Sequence, residues 1–451
     1  MGMLINIDNG GTLTDICVLK DNNFYTTKTL TTPYDLSKCF FDGLKDVSKA
    51  VYGQEDLARL LAEVDHIRYS TTQGTNAIVE RKGPKLGMVI NKGNAKLIDL
   101  MQEEDPDLFK FLVGDRIEEI DLADLNDEES ATETTTSITR LTARGANRIV
   151  VCFDNDGATD YESQFKRIAF NNYPRHLLGA VPMLFASELA EDVSTSRRGW
   201  TALVNSFLHP AMESFLYNAE NRLREYRTKN PLLIFRNDGD ASRVAKTIAL
   251  KTYSSGPRGG MEGVKEFSKQ YKLKNVVSMD IGGTTTDIGQ VIDNTVSESR
   301  RGTVEGVPTS FGLCEISSPG VGGSSIFSVN GKNIKVGPES VGAVPGPASF
   351  GRGGKESTMT DVNLLMGLLD PQTFFGGGLK LDIDRARAAI VENVANPLGI
   401  SSDEALVRLR DAYDKKVSDE MVGFADISDD TALLAFGGAG PMSACGIADK
   451  A

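Results

Sequence analysis

The stretch DNGGTLTD at residues 8–15 recurs as DIGGTTTD at residues 280–287, with six of the eight positions identical. Each copy follows a short apolar run (3–7 and 276–279) and leads into another (16–19 and 288–292). Apolar runs joined by paired glycines are typical of strands connected by a tight turn. The repeat therefore predicts two structurally related domains, each containing a strand, a Gly-Gly-Thr turn and a returning strand.

The residue types in the repeat indicate phosphate binding. Paired glycines let the backbone approach an anion closely, and backbone N–H groups and threonine hydroxyls donate to phosphate oxygens. An aspartate beside a phosphate is explained if it holds Mg²⁺, which prefers oxygen ligands and keeps several waters. The alternative is a plain glycine turn with threonine chosen for strand propensity, and the second copy weakens that alternative.

A third glycine-rich turn lies near the end of the chain, in LLAFGGAGP at residues 433–441. An apolar strand running into Gly-Gly-x-Gly again permits close backbone approach, here to the base or ribose of a nucleotide. Alone this is a weak signal, because strand–glycine turns are common. Its weight comes from the two loops that precede it.

Composition narrows the class of protein. The 451 residues carry 49 Lys+Arg against 62 Asp+Glu, a formal net charge of −13, which argues against a nucleic-acid binder. No apolar run approaches the length of a membrane span, and the start of the chain does not resemble a signal peptide. Five scattered cysteines predict reduced thiols in a cytoplasmic protein.

The rest of the chain indicates α/β structure. Apolar spacing predicts a helix over about 33–51, a buried strand at 149–153 and a long helix over 194–227. The acidic residues 102–134 are interpreted as a solvated insertion or a mobile segment. A domain boundary is expected near 185–195, which gives domains at 1–188 and 189–451.

Together the three loops resemble those of the actin-like, sugar-kinase and heat-shock ATPase superfamily. That resemblance implies an α/β fold of two ribonuclease-H-like domains with a nucleotide cleft between them. Longer blocks resemble the hydantoinase/oxoprolinase family, which includes ketone carboxylases; they lie at residues 71–83, 255–260, 320–326 and 336–363. In that family 1–188 would be the N-terminal domain with the first phosphate loop. Residues 189–451 would be the hydantoinase A-type domain, with the second phosphate loop and the adenosine loop.

The family resemblance implies an enzyme that uses ATP and Mg²⁺ to phosphorylate a carbonyl-type substrate, leading to cyclic-amide hydrolysis or ketone carboxylation. It also implies a second, hydantoinase B-type subunit, an oligomer, and no nucleic-acid or membrane partner. Tyr69-Ser70, where the family often has His-Gly, is closer to the ketone carboxylase branch. A regulatory or reactivating ATPase that acts on a protein partner is the alternative.

The resemblance also assigns roles to individual residues. Asp8 and Asp280 would organise Mg²⁺, while Asp15 and Asp287 would orient a water or cap the loops. The residues expected to bind the nucleotide are Gly10, Gly11, Thr12, Thr14, Gly282, Gly283, Thr284, Thr286, Gly322, Gly323, Gly437, Gly438 and Ala439. The residues expected to face the substrate are Thr71, Thr72, Thr75 and Asn76.

Overall fold

The computed structural model describes residues 2–11, 13–32, 34–79, 81–122, 126–154, 158–174, 176–177, 180–374 and 378–451. Within them the chain is mixed α/β, which confirms the predicted class. The strands are β1 (Met3–Asn9), β2 (Leu13–Lys20), β3 (Asn23–Leu30), β4 (Val64–Thr71), β5 (Leu86–Asn91), β6 (Ile117–Ile120), β7 (Arg148–Val151), β8 (Met183–Phe185), β9 (Leu233–Phe235), β10 (Ala241–Arg243), β11 (Asn275–Ile281), β12 (Thr286–Ile292), β13 (Thr295–Val296), β14 (Glu298–Ser299), β15 (Thr303–Val304), β16 (Val307–Pro308), β17 (Leu313–Cys314), β18 (Ile316–Ser317), β19 (Ser325–Asn330), β20 (Asn333–Ser340) and β21 (Thr431–Phe436).

The helices alternate with these strands along most of the chain. They are α1 (Leu36–Tyr52), α2 (Leu57–Glu63), α3 (Gln73–Val79), α4 (Ala95–Glu104), α5 (Pro106–Leu112), α6 (Asp127–Ala143), α7 (Ala158–Asn172), α8 (Ala186–Leu189), α9 (Thr195–Glu225), α10 (Ser255–Tyr271), α11 (Met359–Leu365), α12 (Ile383–Ile390), α13 (Asn396–Leu398), α14 (Ser402–Phe424) and α15 (Gly440–Ala448). Within the described ranges, none of them is both long and apolar enough to cross a membrane.

Contacts divide the chain into two compact units. Unit 1 comprises Met1–Arg258 with Glu298–Cys314, and unit 2 comprises Gly259–Ser297 with Glu315–Ala451. The boundary predicted between residues 188 and 189 lies inside unit 1. The reason is that α9 buries Trp200, Phe207 and Leu208 in the same core as β1, so the long helix belongs with the first loop.

Unit 1 is built around a six-stranded sheet in the order β10-β9-β4-β1-β2-β3, in which β1 pairs antiparallel with β2 and parallel with β4. Alternating side chains of β1 and β2 face the core, and Ile5, Ile7 and Ile16 are buried there. The predicted first helix is confirmed as α1. It begins where Asp35 accepts a hydrogen bond from the Ser37 N–H and ends at Gly53 in a left-handed conformation.

Unit 1 also contains a four-stranded parallel sheet in the order β6-β5-β7-β8. Helices α4 and α5 share a core with one of its faces, and α6 and α7 share a core with the other. In the described part of 102–134, the expectation of a solvated or mobile segment is wrong, because α5 and β6 bury Phe109 and Ile120. Acidic residues there help to start helices: Asp105 caps α5, and Glu129 completes a capping box with Asn126 at the first turn of α6.

Unit 2 repeats the arrangement of the first sheet. Its sheet runs β13-β12-β11-β21, and β18 also pairs with β12. As in unit 1, the first strand pairs antiparallel with the strand after the loop and parallel with a later strand. Met279, Ile281 and Ile288 pack with α14 residues Leu409 and Tyr413 in the core of this unit. The predicted strand, Gly-Gly turn and returning strand therefore occur in both units.

Candidate functional site

Loop 1 (residues 8–15) and loop 2 (residues 280–287) make the same turn. The N–H of Gly10 donates to the carbonyl oxygen of Leu13, and the N–H of Gly282 donates to that of Thr285, both over 3.0 Å. A Cβ on Gly10 would lie 2.9 Å from the Leu13 oxygen, closer than real Cβ atoms come. The first glycine of loop 1 is therefore required by its close contact with the backbone.

The tips of both loops are open to solvent. Gly11, Gly283 and Thr284 are exposed, whereas Thr12, the counterpart of Thr284, lies outside the described residues. Exposed backbone N–H groups at a glycine turn form a concavity suited to an anion. The structure thus presents these predicted phosphate-binding positions on the surface of their own units.

Asp8 is the second-last residue of β1 and has two neighbours from other elements of unit 1. The hydroxyl of Ser70, in β4, donates to Asp8 Oδ1 over 2.6 Å. A Cβ on Gly256, in the first turn of α10, would lie 3.0 Å from the same oxygen. Surrounding protein atoms raise the pKa of the solvent-accessible Asp8 carboxyl, while the Ser70 hydrogen bond lowers it and the charge of Asp15 raises it further.

Each loop places two carboxylates opposite each other across an antiparallel strand pair. Asp8 faces Asp15, and Asp280 faces Asp287. Like charges in this register repel each other, so the pattern favours a bound cation. Lys28 pairs with Asp15 at 3.0 Å, and the Ser318 hydroxyl donates to Asp287 over 2.5 Å.

The carboxylates fit Mg²⁺ better than a metal held by many side chains. Among the residues with described placement, no group of three or more His, Cys, Asp or Glu side chains could hold a metal ion. Mg²⁺ commonly takes one or two carboxylates and completes its shell with waters and phosphate oxygens. Asp8 and Asp280, next to exposed glycine turns, match that requirement.

A buried polar network fixes loop 1. The amide nitrogen of Asn9 donates to the Thr14 hydroxyl over 2.7 Å, and the Thr31 hydroxyl donates to the Gly10 carbonyl over 2.8 Å. The Thr71 hydroxyl donates to Asn9 Oδ1 over 3.3 Å. Because Thr14 and Thr71 are fully buried, their side chains hold the loop rather than present donors to a ligand.

The other predicted substrate residues lie at the start of α3, beside loop 1. The Thr72 hydroxyl donates to the Asn9 carbonyl over 3.3 Å, and the Thr75 hydroxyl accepts from the Ser254 N–H over 3.2 Å. Asn76 is half-buried, and its amide nitrogen lies 3.2 Å from where a Cβ on Gly11 would be. Among these residues, Asn76 is the one whose side chain reaches the exposed tip of the loop.

Loop 2 is held by hydrogen bonds from a second glycine turn, at residues 322–324. The N–H of Gly323 donates to the Gly282 carbonyl over 3.0 Å, and the hydroxyl of Ser324 donates to the Gly283 carbonyl over 2.6 Å. Gly322 and Gly323 are buried, so the structure places them behind the loop. Thr286 is buried as well and donates to the Val321 carbonyl over 2.6 Å.

The third glycine turn lies directly beside loop 2. Phe436, the last residue of β21, is the strand partner of Asp280, and the Ala439 N–H donates to the Ile281 carbonyl over 3.0 Å. Gly437 has a left-handed φ of 81°, and a Cβ there would overlap Asp280 Oδ1. Gly437 and Gly438 are exposed, so the predicted adenosine turn and the predicted Mg²⁺ ligand are neighbours within unit 2.

Several side chains of this site are not indicated by the sequence motifs, among them Ser70, Ser255, Ser324 and Thr360. The Ser255 hydroxyl accepts from the Thr71 N–H over 3.1 Å. Ser70 could have been found from strand pairing, because it stands beside Asp8 in the parallel partner strand. Ser324 and Thr360 reach loop 2 through contacts between distant segments, and Thr360 donates to the Gly323 carbonyl over 2.8 Å. Local sequence carries no sign of those contacts.

Comparisons with known proteins identify the fold and the family of the chain. Two solved structures share the fold: nucleotide-free acetone carboxylase, from work on ATP-dependent acetone carboxylation, and the ATP-dependent caprolactamase from Pseudomonas jessenii. Their TM-scores are 0.83 and 0.78, each at 23% identity, over 99% of this chain and 66% and 67% of the respective chains. At this identity the likeness establishes the fold.

Family models establish the family. The hydantoinase/oxoprolinase N-terminal region matches residues 4–158, and hydantoinase/oxoprolinase matches residues 198–451. The chain belongs to the hydantoinase/oxoprolinase family, which confirms the resemblance noted from the sequence.

Curated relatives are longer than this chain. The acetophenone carboxylase gamma subunit of Aromatoleum aromaticum is 29% identical over 98% of this chain and 64% of its own length. The caprolactamase subunit alpha of Pseudomonas jessenii is 27% identical over 89% of this chain and 60% of its own length. The chain thus spans less than two thirds of each relative.

Proposed function

We propose that this chain binds MgATP through loop 1, loop 2 and the glycine turn at residues 437–438. The observation that carries the proposal is the repeated strand–turn–strand, which in both units sets a carboxylate beside an exposed glycine turn. The two structurally similar proteins are a caprolactamase that is ATP-dependent and an acetone carboxylase whose acetone carboxylation is ATP-dependent. The ribonuclease-H-like domains and the nucleotide cleft implied by the superfamily resemblance belong to this proposal.

The proposed roles follow from which groups are exposed. Asp8 and Asp280 hold Mg²⁺ directly or through its waters, and the ion neutralises charge on the phosphate oxygens when bound. The N–H groups of Gly11 and Gly283 and the Thr284 hydroxyl donate to phosphate oxygens. Asp15 and Asp287 orient a water. Thr14, Thr286, Gly322 and Gly323 take a supporting role, because the structure buries them.

The proposed activity is ATP-dependent activation of a carbonyl-type substrate, by a chain that serves as the ATP-binding subunit of a larger enzyme. Its relatives include a ketone carboxylase subunit and a caprolactamase subunit. Transfer of the terminal phosphoryl group to a substrate oxygen forms one O–P bond, breaks another and releases ADP. The substrate oxygen then leaves as phosphate, a far better leaving group than hydroxide. The relatives' subunit names support a partner subunit for this chain too, which we propose is of the hydantoinase B type.

Phosphate release from MgATP tests the activity, with and without two substrate panels. One panel contains hydantoins, oxoproline and lactams, and the other contains ketones with bicarbonate. Stimulation by one panel supports the proposal and selects cyclic-amide hydrolysis or ketone carboxylation. Turnover that neither panel changes even when the B-type partner subunit is added, but that another protein changes, contradicts the proposal and supports a regulatory ATPase instead.

A further inference from the structure

A cavity lies in unit 1, at the carboxyl edge of the four-stranded parallel sheet. It has a volume of about 180 Å³. Its lining comes from the ends of three neighbouring strands and from α7: Asn91, Lys92, Ile120, Asp121, Leu122, Phe153, Asp154 and Tyr161. None of these residues belongs to loop 1, loop 2 or the glycine turn at 437–438.

The cavity lies where the topology of the sheet favours a ligand. After β5 the chain adds β6 on one side of it and then crosses to add β7 on the other. Helices α4 and α5 pack on one face and α6 on the opposite face. The strand order therefore reverses between β5 and β7, and open parallel sheets bind ligands in the crevice outside the carboxyl ends at such a point.

Hydrogen bonds fix the polar groups at this crevice. Asn91 Oδ1 accepts from the Asp154 N–H over 3.0 Å and from the Asn94 amide over 3.3 Å. The oxygen is thereby occupied, and the amide nitrogen of Asn91 serves as a donor. Asp154 Oδ1 accepts from the Thr195 hydroxyl over 2.8 Å, so both side chains are held before a ligand binds.

The charges around the cavity exclude two common classes of ligand. Asp121 and Asp154 repel a phosphate, and the segment Lys92-Gly93-Asn94 after β5 has one glycine where a phosphate loop has several. No group of three metal-ligating side chains occurs in the described ranges, and Lys92 repels a metal ion. Carboxylates and an ammonium group at one cavity instead complement a ligand that carries both charges.

The size of the cavity limits the ligand. A 150 Å³ apolar cavity holds benzene, so about 180 Å³ accommodates a molecule of the size of an amino acid. Ile120, Leu122 and Phe153 are buried and supply an apolar wall. A short aliphatic segment would pack against that wall while its charged ends meet the polar rim.

We propose that this cavity binds a zwitterion of amino-acid size, with its ammonium group at Asp121 and Asp154 and its carboxylate at Lys92. The aliphatic part of the ligand lies against Phe153. The site is separate in sequence from the proposed MgATP residues, so the proposal does not depend on that function.

Calorimetric titration of the full chain with probes of five or six carbons tests it. Norleucine and 6-aminohexanoate carry both charges, hexylamine carries the ammonium alone, hexanoate the carboxylate alone, and ribose neither. We expect at least one zwitterion to bind at least about tenfold more tightly than hexylamine, hexanoate and ribose, because each lost charge-assisted contact costs roughly that factor. No binding by either zwitterion, or equal or tighter binding of ribose or a singly charged probe, overturns the proposal.

Two variants separate the ends of the ligand. Lys92→Met should weaken the zwitterion about tenfold and leave hexylamine unchanged, and Asp121→Asn should weaken it about tenfold and leave hexanoate unchanged. Lys96→Met and Asp99→Asn make the same changes at exposed positions of α4 outside the lining and should change nothing. An unchanged circular dichroism spectrum and an unchanged thermal unfolding curve show that each variant is folded. Equal losses in the cavity and control variants overturn the assignment.

Discussion

Gly437→Ala is the sharpest test of how the glycine turn supports the site, because two separate costs meet there. Its φ of 81° lies in the left-handed region, which costs a residue with a Cβ about 1–2 kcal/mol. The new Cβ would also overlap Asp280 Oδ1 and lie 2.7 Å from the Ile281 carbonyl oxygen. Crowding of this kind costs about 1–3 kcal/mol, so the variant should lose roughly 2–5 kcal/mol of stability.

Gly438→Ala provides a matched control one residue away. A Cβ there meets nothing within 4 Å, and its φ lies outside the left-handed region, so the stability should stay within about 0.5–1 kcal/mol of the wild type. Urea unfolding followed by circular dichroism measures the difference. We expect a lower midpoint for Gly437→Ala alone, together with weaker Mg²⁺-dependent ATP turnover because the Asp280 carboxylate is displaced. Equal midpoints and turnover for the two variants refute the reasoning.

Three further predictions concern single carboxylates. Asp280→Asn should lower ATP hydrolysis at least about hundredfold with an unchanged circular dichroism spectrum, because it removes the charge that faces Mg²⁺; full turnover in this variant contradicts the assignment of the ion. Surrounding protein atoms raise the pKa of Asp8 and the Ser70 hydrogen bond lowers it, so Mg²⁺-dependent turnover should fall as the pH drops through that pKa, and Ser70→Ala should move the fall to higher pH; an unmoved profile contradicts the role of Asp8. Arg197 holds the pKa of the buried Asp192 carboxyl well below its usual range, so Asp192→Asn should cost roughly 2–3 kcal/mol near neutral pH. That difference is complete above the unfolded value of about 3.9 and disappears as the pH falls through the folded value; a difference independent of pH contradicts it.

The sequence predicts the two loops and the family well, because both are encoded locally. Paired glycines, a threonine and a terminal aspartate are sufficient to define the turn, and the structure has the same hydrogen bond in both copies. The alternation of buried and exposed residues along β2 also indicates where the Thr14 side chain lies. Thr14 lies on the same face of β2 as the buried Ile16 and Val18, so the period of two already places its hydroxyl inside.

Other features depend on contacts between distant residues. Gly322 and Gly323 belong to a glycine-rich motif of the kind that faces ligands. The Gly323 and Ser324 N–H groups, however, donate to the carbonyls of Gly282 and Gly283, and these bonds place the motif behind loop 2. The acidic composition of 102–134 predicts a solvated segment, and this prediction misses β6. Most of the charged side chains there lie at exposed positions of helices and strands whose other residues are buried. The extent of unit 1 likewise depends on which core α9 packs against, and the amino-acid composition of α9 does not predict that core.

Loops 1 and 2 are proposed to bind MgATP, and calorimetric titration of the purified chain tests this binding most directly. Wild-type protein should bind ATP saturably with Mg²⁺ present, and binding should weaken at least about tenfold when EDTA removes the ion or when Asp8→Asn and Asp280→Asn are combined. Undetectable binding of MgATP by the folded wild type contradicts the account. Binding that is unchanged by EDTA and by both substitutions contradicts it equally.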